Sequence, residues 1–92
     1  MDAIRTLIVD DEPLARRRVT QLLAARSGFT VQGECANGAE AVAFLAGEVP
    51  VDLLFLDVHM PDISGLQVLQ QVQHLPRLPL VVFVTAYDQY TL

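Results

Sequence analysis

Lysine is absent from these 92 residues, and the six basic side chains, all arginine, stand against eleven acidic ones for a formal net charge of −5. Such a balance repels a phosphate backbone, which excludes direct nucleic-acid contact by this chain. The single cysteine, Cys35, rules out an internal disulfide and a Cys-rich metal site, and leaves the role of a small buried hydrophobe. No apolar run approaches the roughly 18 residues of a membrane span, and Met1-Asp2-Ala3-Ile4-Arg5 leads into a strand-like segment instead of a signal peptide. A cytoplasmic chain with no membrane partner is expected. Gly28, Gly33 and Gly38 have the wrong spacing for a dinucleotide fingerprint and follow no first strand. Charge is also sparse: 18% of residues are charged, 52% are hydrophobic and the mean hydropathy is +0.38, so some apolar surface is expected to lack cover.

What is present fits one domain spanning residues 1–92, since two cores would each be too small to offset their chain entropy. Four short apolar runs read as strands: Thr6-Leu7-Ile8-Val9, Phe29-Thr30-Val31, Leu53-Leu54-Phe55-Leu56 and Leu80-Val81-Val82-Phe83-Val84. Three of them are apolar on both faces, as strands covered on both sides by helices are. Helical patterns lie between them: Pro13 to Ala25, with Ala15, Val19, Leu22 and Leu23 on one side; Ala39 to Leu45; and Leu66 to Leu75, with Leu66, Leu69 and Val72 at three-residue spacing. The alternation predicts an α/β fold, an open doubly wound parallel sheet with right-handed crossovers and its functional residues at the carboxyl ends of the strands. Leu75-Pro76-Arg77-Leu78-Pro79 reads as a tight helix-to-strand connection.

Asp10-Asp11-Glu12 closes the first strand, and Asp57 closes the third. Alone, the acidic run suits the start of a helix, with Pro13 at its first position. In a doubly wound sheet, however, strands one and three end side by side, which puts three carboxylates in one cleft. Two like charges about 4 Å apart repel by about 4 kcal/mol at an effective dielectric near 20, so the cleft calls for a cation. Mg²⁺, a hard ion that binds through one or two carboxylates and keeps room for water or phosphate oxygens, is the expected cofactor. An aspartate can attack phosphorus to form an acyl phosphate, and the hydroxyl of Thr85, at the end of the fourth strand, is placed to hydrogen-bond the transferred group.

Leu7 to Pro13, Asp57-Val58-His59-Met60-Pro61-Asp62-Ile63-Ser64-Gly65 and Val84-Thr85-Ala86 resemble, in order and spacing, the three motif blocks of response-regulator receiver domains of two-component signalling. The resemblance implies a flavodoxin-like receiver fold in which Asp57 is the phosphoacceptor and a sensor histidine kinase's phosphohistidine the donor. It implies that Asp10, Asp11 and Asp57 hold Mg²⁺ together with the backbone carbonyl of His59, and that Thr85 and Ala86 form the switch pair. The His59 and His74 imidazoles, and the rings of Tyr87 and Tyr90, are read as ordinary loop, surface or packing groups. Glu12 to Arg17 and Ala86 to Tyr90 look like receivers joined to LytTR-type DNA-binding domains, which implies a transcriptional output. The module is expected to be a signalling domain, not an enzyme: an aspartate-nucleophile phosphatase needs a second acid where His59 stands.

The sequence also departs from the family. Receivers have a fifth strand, ending in a lysine that contacts the phosphoryl group, and a fifth helix; this chain has no lysine and reaches Leu92 without them, so it reads as an incomplete receiver of four strands and about three helices. A receiver-shaped interaction module that is never phosphorylated is the rival reading. With no fifth strand beside Leu80 to Val84, the chain is expected to self-associate as a homo-oligomer, most simply a symmetric dimer.

Overall fold

The structure, a computed structural model, describes residues 2–84. Strands β1 (Ile4–Val9), β2 (Phe29–Cys35), β3 (Leu53–Asp57) and β4 (Leu80–Val84) alternate with helices α1 (Pro13–Ala24), α2 (Gly38–Ala46) and α3 (Gly65–Val72). The strands pair in parallel in the order β2-β1-β3-β4. Because the chain steps from β1 one way to β2 and then back across β1 to β3, right-handed crossovers put α1 on one face of the sheet and α2 and α3 on the other. The α/β doubly wound class expected from the alternation is the one observed.

The central strands show why their sequences are apolar throughout. Leu7 and Val9 of β1 and Leu54 and Leu56 of β3 share a face with Ala41 of α2 and Val68 of α3, and all are at most 1% exposed. Thr6 and Ile8 alternate to the other face and are equally buried, since β1 is covered on both sides. Each helix starts where a side chain can take up its free N–H groups. Glu12 precedes Pro13 and accepts from Leu14 N; Asn37 Oδ1 accepts from Glu40 N at 2.8 Å; Ser64 and Gln67 form a reciprocal capping box at α3, with bonds of 3.1 and 2.8 Å.

Two expected helix faces are corrected. On α1, Leu23 is buried but Leu22 is 60% exposed, because neighbours on a helix sit about 100° apart and only one can face the sheet. On α3 the buried positions are Gly65, Val68 and Val72, while Leu66 is 56% exposed: the strict three-residue row drifts around the helix and leaves its first leucine outside. That helix also ends at Val72, short of the expected Leu75. Strand β2 runs four residues beyond the expected Val31, through polar Gln32 and Glu34, because as an edge strand it needs only one apolar face. Strand β4 has its expected bounds, yet Leu80 is 71% and Phe83 42% exposed, and among the described residues no strand pairs with its outer edge.

Candidate functional site

The register between β1 and β3 builds the site. Val9 lies opposite Leu56, so the next residues, Asp10 just past the end of β1 and Asp57 at the end of β3, emerge at the same carboxyl edge. Asp10 and Asp57 are only 4% and 7% exposed, whereas Asp11, one residue further on, is exposed. One carboxylate oxygen from each of the three lies within 4.8 Å of the others. The cleft anticipated from the sequence is therefore present, with two walls buried and one open.

Local bonds fix the carboxylates of the cluster. The Glu12 backbone N–H donates to Asp10 Oδ1 at 2.9 Å, and the His59 N–H donates to Asp57 Oδ1 at 3.2 Å. The chain then turns back onto α3, where Gly65 N donates to the Val58 carbonyl at 2.9 Å. Glycine is required at that point, because a Cβ on Gly65 would stand 2.5 Å from the backbone oxygen of Asp57. Burial, contact with the Asp11 carboxyl and the charge of Asp10 push Asp57 up to about 7 despite the stabilising His59 N–H. Such a shift marks a carboxylate cluster that gains from a bound cation. Three hard oxygen donors converging on one point suit Mg²⁺ by their chemistry.

Other residues are sorted by the structure. Asp52, at the opposite edge of the sheet, is bound by Arg5 and takes no part in the cluster. His59 is exposed and meets the cluster through its backbone, while His74 is exposed on the connection after α3. Thr85, Ala86, Tyr87 and Tyr90 lie outside the described residues. Cys35 is buried as expected, and burial, with the nearby Glu40 charge, pushes its thiol up to about 11, far from a reactive thiolate.

Two contributors escaped the sequence reading. Asp62 accepts from Gly38 N at 3.0 Å and Ala39 N at 2.8 Å, so the loop after Asp57 caps α2 from a distance of 23 to 24 residues, and these bonds hold its carboxyl below the usual carboxylate range. Arg16 reaches the turn carrying the acidic pair, donating to the Asp10 carbonyl at 2.6 Å. Its signal was a cation in the first turns of a helix, where the dipole disfavours positive charge and some other partner must compensate.

Known proteins give the same picture. The response regulator receiver domain family matches residues 6–92. The chain is 44% identical over 89 residues to the sensory transduction protein LytT of Enterococcus faecalis and 45% identical to the transcriptional regulatory protein BtsR of Salmonella typhi, in each case over 97% of this chain. It spans 36% of the length of either relative. The receiver domain of the response regulator NarL from Mycobacterium tuberculosis superposes with a TM-score of 0.85 at 31% identity, over 96% of this chain and 70% of that one. A chain of the CheX-CheY complex with BeF3 and magnesium from Borrelia burgdorferi superposes at 0.82 with 27% identity, over 97% of this chain and 68% of that one. No helix among the described residues is long and apolar enough to cross a membrane. With sheet order, acidic cluster and family match in agreement, the chain belongs to the response-regulator receiver family of two-component signalling, with the LytT and BtsR regulators among its relatives.

Proposed function

We propose that this receiver takes a phosphoryl group onto Asp57 from the phosphohistidine of a sensor histidine kinase, in the cytoplasm, and that the modification governs a transcriptional output borne by a longer regulator of the LytTR type. The observation that carries this reading is the convergence of Asp10, Asp11 and Asp57 within 4.8 Å at the carboxyl edge of the two central strands. An Asp57 oxygen attacks phosphorus as the donor's P–N bond breaks, and the departing imidazole takes up a proton. Asp10 and Asp11, with Asp57 and the His59 carbonyl, would hold Mg²⁺, which supplies neutralisation of the phosphoryl oxygens. The His59 N–H orients the nucleophile by fixing Oδ1, leaving the other oxygen for attack. Thr85 and Ala86 follow β4 directly in the chain and take the role of phosphoryl contact and switch pair.

Incubation with acetyl phosphate and Mg²⁺, read by intact-mass spectrometry, tests the assignment. One phosphoryl addition is expected on the native chain and on Asp52→Asn and Asp62→Asn, and none on Asp57→Asn. Labelling of Asp57→Asn at the native rate would overturn it. The exposed apolar side chains of β4 support a second part of the proposal, self-association of this 92-residue polypeptide. Light scattering across micromolar concentrations should show a mass that rises with concentration; a constant monomer mass would refute it.

A further inference from the structure

We propose that Arg16 is a positioning residue for the cation site, holding the acidic turn in ligating geometry by clamping it to the neighbouring strand. The inference rests on the cation-binding reading of the carboxylate cluster. Arg16 sits in α1 but its guanidinium is spent outside the helix. Its Nη1 donates to the Asp10 carbonyl at 2.6 Å, and its Nε donates to Glu34 Oε1, on β2, at 3.2 Å. Glu34 is held in turn, since Thr20 Oγ1 donates to its Oε2 at 2.9 Å. The Arg16 side chain is 18% exposed, so the fork is partly desolvated and its planar donors are fixed in direction.

The clamp completes the anchoring of Asp10. Its N–H donates to the Cys35 carbonyl at 3.0 Å, its carboxylate accepts from Glu12 N, and its carbonyl accepts from Arg16. Without Arg16, the Asp10 N–H keeps its bond to Cys35 on the preceding peptide, but the peptide joining Asp10 to Asp11 loses the bond on its oxygen. That peptide sets where the exposed Asp11 carboxylate points. Groups one bond removed from a ligand typically change metal affinity by about 10- to 100-fold, and the lower end is expected for a bond made to backbone.

An ordinary partly exposed ion pair predicts something different. Such pairs contribute little to stability and have no reason to alter cation affinity. Charge alone predicts the opposite sign: Arg16 is a cation near three carboxylates, and neutralising it would tighten Mg²⁺ binding. Arg17, one residue on and exposed, supplies the same charge without the clamp.

The test is the Mg²⁺ dissociation constant, measured by calorimetric titration on the full 92-residue chain, together with metal-free thermal unfolding. Arg16→Gln is expected to bind about tenfold more weakly. Arg16→Lys, which keeps the charge but cannot span both acceptors, is expected to be weakened several-fold, and Arg17→Gln to be unchanged or slightly tighter. Equal or tighter binding by Arg16→Gln overturns the inference while leaving the cation site intact. Should Arg16→Gln fail to fold, Arg16→Lys decides the matter, and native affinity in that variant overturns the clamp. A native chain that binds no Mg²⁺ overturns the cation reading itself, and the clamp with it.

Discussion

The two ends of this sheet use aspartate in opposite ways. At the amino edge Asp52 accepts from the Arg5 backbone N–H at 2.9 Å and from its guanidinium at 2.8 and 2.9 Å, while its own N–H returns to the Arg5 carbonyl. The Asp52 carbonyl also accepts from Leu80 N, so one residue ties β1, β3 and β4 together. The Arg5 side-chain and backbone bonds hold its carboxyl well below the usual carboxylate range. At the carboxyl edge, burial and acidic neighbours raise Asp57 instead, and neither of the arginine–carboxylate pairs among the described residues engages a carboxylate of the cluster, Arg16 meeting Asp10 only at its backbone carbonyl. A satisfied aspartate fastens strands, whereas a crowded one is available for a cation and for chemistry.

Adding Mg²⁺ should sharpen that contrast most. At a concentration a hundred times the dissociation constant, a cation that ignores the unfolded chain stabilises the fold by about 2.7 kcal/mol. Chemical denaturation should show this gain for the native chain and for Asp52→Asn, and show most of it lost in Asp10→Asn and Asp57→Asn. An identical shift in all four would mean that the cation acts elsewhere.

A backbone test comes next in size. Gly65→Ala places a carbon 2.5 Å from the Asp57 carbonyl oxygen, where only main chain can yield, and an overpacking cost of roughly 1–3 kcal/mol is expected along with slower acetyl-phosphate labelling. Gly47→Ala, near the amino edge, meets its nearest atom at an ordinary 3.4 Å and should change neither quantity. Equal behaviour of the two variants would deny that the Asp57 turn is tightly packed.

The smallest effect concerns pH. Because Asp52 has a folded-state value below its unfolded one, its contribution is fully present above the unfolded pKa near 4 and fades as pH falls toward the folded value. The stability difference between the native chain and Asp52→Asn should hold steady from about pH 7 to 5 and shrink below about pH 4. A difference that widened on acidification would reverse the assigned sign. Urea midpoints measured across that range would decide it.

Much of this was legible in the residues themselves. Leu7 to Val9 and Leu53 to Leu56 are apolar at every position, and only a strand covered on both faces has use for that pattern, so strand, parallel sheet and the placing of Asp10 and Asp57 at one edge followed together. Helix faces were less legible: Leu22 and Leu66 fit the helical spacing yet face outward, because spacing defines a stripe and packing chooses which part of it meets the sheet.

By itself, then, the sequence determined the order of elements, the acidic cluster and the glycine turn after Asp57, since each depends on local pattern or on the residues at the ends of adjacent strands. Only tertiary structure decided what those residues lean on. Arg16 with Glu34 and Asp62 with the start of α2 are contacts across 18 to 24 residues of sequence, and Arg5 with Asp52 spans 47. No local pattern encodes such pairs, because a charged side chain is equally at home in solvent until the fold brings one particular partner within reach.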